Sequence, residues 1–129
     1  MIVPVCGTLP VPEIHLYHSD DVARRFFALH GFGDVEFEGG SGETIYAVGD
    51  CSRFIVVVLR VEPDSMIVGD LALLAHEAWH VTCSIFESIN ECEPGEETEA
   101  YVLQSVFEQL AYAHLQWRHL NSDAFNEVD

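Results

Sequence analysis

Residues 71–83 read LALLAHEAWHVTC. The apolar run LALLA before the polar group and VTCSIF after it support one continuous helix, predicted over residues 66–89. Within it, His76 and His80 stand four residues apart. On a helix that spacing puts both imidazoles on one face, one turn apart, so two ring nitrogens can reach a single metal ion. Glu77 follows the first histidine and can lean toward a metal-activated water without itself ligating. With seven histidines among 129 residues, chance supplies the pattern His-Glu-x-x-His roughly 0.04 times in such a chain, so the motif is a moderate signal that needs a third ligand to support it.

Upstream, residues 62–65 (EPDS) break the chain, and residues 53–61 (RFIVVVLRV) before them form a β-branched strand, predicted to be central. Residues 44–48 and the alternating stretch 34–38 (DVEFE) are predicted as two further strands, joined by the hairpin glycines Gly39, Gly40 and Gly42. Before these, Ser19 is an N-cap with Asp20 and Asp21 in the first turn, and Gly31 closes the helix. Residues 13–18 allow a short strand. Downstream, the polar loop 90–95 precedes a last helix over residues 96–120. The order is helix, three-stranded meander, helix, helix. It predicts one α+β domain over residues 1–129, with helices on one face of a small antiparallel sheet, an extended arm over 1–12 and a frayed tail over 121–129.

Hydrophobic residues make up 49% of the chain, a globular composition. The longest apolar run, residues 54–59, is only a strand's length, so no membrane span is expected. Twenty-two acidic residues against five basic ones give a net charge of −17, which should repel nucleic acid and anionic membranes and favour a basic partner. Cys6, Cys51, Cys83 and Cys92 lack CxxC spacing, and the N-terminus lacks the basic and apolar regions of a signal peptide. Free thiols and a cytoplasmic location follow as expectations.

The third ligand is sought where the last helix returns antiparallel to the motif helix. Its first turn opens EETEAY, with Glu96, Glu97 and Glu99. A carboxylate there could approach the two histidines, although acids at a helix N-terminus are also ordinary capping chemistry. His76, Glu77, Ala78 and His80, then Pro94-Gly95, Glu97, Glu99, Ala100 and Tyr101, resemble the motifs of a minimal gluzincin-type zincin. Over residues 66–115 the chain is similar to the ImmA/IrrE-type metallopeptidase family and to small phage-encoded zincin-like proteins. The resemblance implies a zincin fold and one zinc held by His76, His80 and Glu97, with Glu99 and Glu96 as alternative ligands. It also implies Glu77 as the general base for hydrolysis of an amide bond. Two features depart from the pattern: the spacing from His80 to Glu97 is short, and Tyr101 stands where the peptidases carry asparagine. Tyr101, one turn after Glu97, is a candidate oxyanion stabiliser.

Other residues have weaker assignments. Cys83, three residues after His80, could complete a His-His-Cys site or simply pack in the core. Trp79 is expected as a core anchor, and Trp117 against another helix or in an exposed patch. His114 and His119 are expected as core or surface residues, while His15 and His18 could line a cleft. Zincins commonly bind an extended peptide along an edge strand. Here residues 44–48 or 34–38 would supply that edge, in an acidic neighbourhood suited to a basic peptide or protein substrate. A rival class is a non-enzymatic module, such as a phage virion component or an acidic inhibitor of a host protein, with a structural or vestigial zinc. DNA mimicry ranks last, because the acids have no phosphate-like spacing along a helix.

Overall fold

A computed structural model describes residues 2–3, 12–49 and 52–122 of the chain. The elements run β1 (Ile2–Val3), β2 (Glu13–Tyr17), α1 (Asp20–Leu29), β3 (Gly42–Val48), β4 (Arg53–Leu59), α2 (Ile67–Ser88) and α3 (Glu96–Asn121). The strands lie in the order β1-β2-β4-β3, which makes an α+β structure with three helices and a small mixed sheet. Cys6 and Cys51, most of the expected arm and most of the expected tail lie outside the described residues.

The central strand explains the layering. Residues 54–59 of β4 are all buried. Ile55, Val57 and Leu59 pack with Ile14 and Leu16 against Leu74, Ala78, Val81 and Ile85 of α2 and Val106 and Leu110 of α3. On the opposite face, Phe54, Val56 and Val58 meet Ala23, Phe26 and Phe27 of α1. The helices therefore cover both faces, not one as the sequence suggested. A strand apolar on both sides requires two covering layers.

The sheet is also mixed rather than antiparallel. β3 pairs antiparallel with β4, but β2 pairs parallel with it, Ile14 opposite Ile55 and Leu16 opposite Val57. Parallel neighbours need a crossover connection, and α1 with the segment after it carries the chain across the sheet face. The strand expected over residues 34–38 does not form. Val35 and Phe37 do turn inward, onto the α1-side core. However, the N–H groups of Glu38 and Gly39 donate to the Glu43 carboxylate, at 2.9 and 3.3 Å, rather than to a neighbouring strand.

Both helix ends foreseen around α1 hold. Ser19 accepts a hydrogen bond from Val22 N–H. Gly31, at φ 79°, ends the helix with Gly31 N–H donating to Ala28 and Phe32 N–H to Phe27, while the Phe27 and Phe32 rings meet. Asn90, at φ 58°, ends α2 in the same way, with Asn90 N–H on Glu87 and Glu91 N–H on Phe86. Among the described residues no helix is long and apolar enough to cross a membrane.

A buried polar chain locks α3 to the start of α2. Asp70 and His114 are 2% and 0% exposed. His114 Nε2 donates to Asp70 Oδ2 at 2.8 Å, and its Nδ1 lies 2.9 Å from His18 Nε2. Arg118 Nη1 donates to the same Asp70 oxygen, and Ser65 Oγ reaches the carboxylate at 2.8 Å. His18 lies flat on Trp117, with ring centroids 3.7 Å apart. Burial opposes the charge on Asp70, but the hydrogen bonds from His114, Ser65 and Arg118 outweigh it and hold the carboxyl below its ordinary range. Burial, reinforced by His114, lowers His18 to about 3.

These shifts predict acid lability. Below its ordinary value of 6.5, an unfolded His18 takes a proton that the folded residue refuses until about pH 3. Stability therefore falls as pH drops through that window, by up to about 1.4 kcal/mol per pH unit from this one group. The shift at Asp70 acts in the same direction only at lower pH. Denaturant titrations at pH 6 and pH 4.5 should show a steeper loss for wild type than for His18→Phe. Equal losses would remove His18 from the account.

Candidate metal centre

The group HEAWH lies at the middle of α2, as expected. His76 and His80 are exposed, while Glu77 is buried against the sheet, 3% exposed. The Nε2 atoms of the two histidines lie 3.2 Å apart, with their rings at 69°. Two nitrogens bound to one tetrahedral zinc at ~2.0–2.1 Å lie roughly 3.3 Å from each other. The two ring nitrogens are in hydrogen-bonding contact, and their separation is close to that value. Glu77 Oε1 lies 4.0 Å from His76 Nε2, on the same side but beyond hydrogen-bonding reach. Glu77 Oε2 accepts a hydrogen bond of 2.5 Å from Thr44 Oγ1 on β3. Gly42 eases this approach, because a Cβ there would sit a tight 3.2 Å from Glu77 Oε1. Thus β3 fixes the carboxylate from one side and α2 places the two imidazoles beside it.

These side chains open onto a cleft of about 590 Å³. His76, Glu77, His80 and, further along, Glu87 form the α2 wall, and Glu36 and Glu38 stand on the other. Consecutive residues 42–46 line it, from both faces of the sheet, so the cleft runs along the edge of β3. The second wall is pinned from below. Arg60 donates to Glu43 Oε1 at 2.6 Å, to Asp20 Oδ1 at 2.7 Å and to the Gly40 carbonyl at 3.1 Å. Burial would raise the Glu43 carboxyl, but its bonds from Glu38 N–H, Arg60 and Gly39 N–H outweigh that and hold it below the usual range.

The other expected site residues fall in different places. Glu96 and Glu97 are exposed, whereas Glu99 is half-buried. Desolvation and the charge of Glu99 push the Cys83 thiol up. Among the described residues, no three histidine, cysteine, aspartate or glutamate side chains gather as a metal-holding group. The histidine pair therefore stands without a third ligand among the described residues: none of Glu96, Glu97, Glu99 and Cys83 gathers with it as a metal-holding group. Tyr101 is 68% exposed and lies outside the cleft lining, where the phenol is that of Tyr46. Trp79 is exposed rather than a core anchor, and Cys83 is an exposed free thiol rather than a buried packing residue. His15 is buried against Phe26, and His18 joins His114, so neither lines this cleft.

Two contributions were not foreseen. One is the β3 group Gly42, Thr44 and Tyr46. The other is the Asp70–His114 pair. The latter had a legible signal, since Asp70 shares a helical stripe with the apolar Leu74, Ala78, Val81 and Ile85.

Comparison with known protein families, with characterised proteins and with solved structures finds no match for this chain. The assignment of the cleft therefore rests on its own geometry.

That geometry makes Arg60 responsible for the wall opposite α2. Arg60→Ala should speed amide hydrogen exchange at Glu38 and Gly39 about tenfold or more, as expected for losing a charged hydrogen bond. Core amides of α2 should be unaffected. Unchanged exchange at the two amides would show that the wall holds without Arg60.

Proposed function

We propose that this is a zincin-like metallopeptidase, phage-encoded as the resemblance suggests, that holds one zinc ion through His76, His80 and a carboxylate of α3. The observation that carries the reading is the 3.2 Å spacing of the two Nε2 atoms beside a buried carboxylate at the mouth of a cleft. Glu99 is half-buried and in helical phase with Val102, Leu103 and Val106, which pack on the core, and Glu97 is the one favoured by motif alone. When bound, zinc supplies the Lewis acidity that activates water and polarises a carbonyl.

The chain's own groups would do the rest. Glu77 takes a proton from water at Oε1 and returns it to the leaving amine. Thr44, donating to Oε2, keeps Oε1 turned toward the histidines. Tyr46 is the phenol available to a developing oxyanion within the cleft.

Metal content after purification without added metal tests the binding step. Wild type should carry about one zinc per chain, and His80→Ala and Glu99→Ala should lose it. Retention in Glu99→Ala with loss in Glu97→Ala would instead assign the ligand to Glu97. Glu77→Gln should keep the metal and lose hydrolysis of an internally quenched peptide library by about 100-fold or more. Equal turnover in that variant would sink the mechanism.

A second reading is favoured by the absence of a gathered third ligand among the described residues. In it the protein is a non-catalytic interaction module, of virion or host-directed type, and the histidine pair is vestigial. Wild-type protein that takes up no zinc even when supplied with it would put this reading first.

A further inference from the structure

We infer that an extended peptide lying along the open edge of β3, the mode common among zincins, is selected for arginine or lysine about three residues from the bond lying over the histidines. The inference rests on the proposed peptide site and adds its substrate class.

The backbone sets the docking mode. β3 is the last strand of the sheet, and among the described residues only β4 pairs with it. Arg60 N–H donates to Ser41 O, and Gly49 N–H donates to Ser52 O, at the two ends of the β3–β4 ladder. Antiparallel ladders alternate, so the odd residues from Ser41 to Gly49 spend their backbone groups on β4. The N–H and C=O groups of Gly42, Thr44 and Tyr46 therefore point outward along the open edge. These are the residues whose side face meets Glu77 and lines the cleft. An added strand would bond to them and run past the two histidines in register.

Charge sets the selection. Among the described residues no lysine or arginine lines the cleft. Glu43 is paired with Arg60, which it shares with Asp20, and Glu77 is held by Thr44. The exposed carboxylates left on the walls are Glu36, Glu38 and Glu87. Glu87 lies two helical turns beyond His80, ~10 Å along α2. An extended peptide covers that distance in about three residues. β3 and α2 run side by side in one direction, since Thr44 meets Glu77 near one end and Arg53, opposite Val48, donates to Ser88 O near the other. Side chains of an added strand alternate, so one set faces Glu87 and the other faces Glu36 and Glu38. A cationic side chain on either set meets a carboxylate, and an anionic one meets repulsion on both.

The test uses the full chain carrying Glu77→Gln, so that turnover does not obscure binding. Fluorescein-labelled ten-residue peptides of β-forming residues are compared by anisotropy, with arginine or glutamate three positions from the centre. The arginine peptide should bind at least tenfold more tightly. Adding Glu87→Gln and Glu38→Gln should remove most of the difference, with unchanged circular dichroism. N-methylation of alternate peptide amides should weaken binding in one register and spare it in the other. Equal affinity for the two peptides, or an arginine preference that survives both substitutions, overturns the selection. Insensitivity to N-methylation overturns the docking mode. Arginine-selective binding without cleavage by wild type would leave this inference standing and remove the peptidase reading. Zinc-dependent cleavage with no charge preference would do the reverse.

Discussion

Burial of β4 on both faces is the constraint on which the rest of the structure depends. Residues 54–59 are apolar without a break, and each must be covered. One face takes α1 and the other takes α2 and α3. With β2 on one side of β4, β3 is left at the edge of the sheet. α2 packs beside that edge, where Glu77 meets Thr44 and Gly42 of β3 and His76 and His80 line the same cleft as residues 42–46. The cleft is thus a consequence of layering: it is the step where the helix layer meets an open strand.

The same layering explains why a charged residue can be buried at the centre of the motif. Glu77 is on the inward side of α2, where an unpaired carboxylate would be costly. Thr44 offers a hydroxyl from the facing strand, and Gly42 leaves room for the carboxylate. At the other end of α2, Asp70 meets the same difficulty and is satisfied by His114, Ser65 and Arg118. The two buried acids therefore have opposite settings. Asp70 is closed in by partners from α3, while Glu77 keeps one oxygen toward a cleft.

Local signals in the sequence carried the helices well. Ser19, Gly31 and the run around HEAWH placed α1 and α2, because caps and helical periodicity are properties of neighbouring residues. Strand direction was not legible, since alternation is the same in parallel and antiparallel pairs. Residues 34–38 show why alternation alone misleads: Val35 and Phe37 turn inward, yet the backbone finds a carboxylate instead of a strand. In the site, His76, Glu77 and His80 were legible from spacing. The choice between Glu97 and Glu99 was a question of helical phase. Two residues turn a helix by about 200°, so only one of them can face α2. Glu99 is four residues before Leu103 and seven before Val106, on the packed stripe. Tyr101 falls off that stripe and is exposed. Thr44 and Tyr46 could not be assigned from sequence, because only the sheet order brings them to α2.

We propose that His76 and His80 together bind one metal ion. Titrating zinc into the metal-free protein while recording the imidazole nitrogen resonances by two-dimensional NMR tests it most directly. The account predicts that the Nε2 signals of these two histidines shift together and saturate at one equivalent, while the remaining five of the seven histidines hold still. No shift at the pair, or a response centred on other histidines, would contradict it.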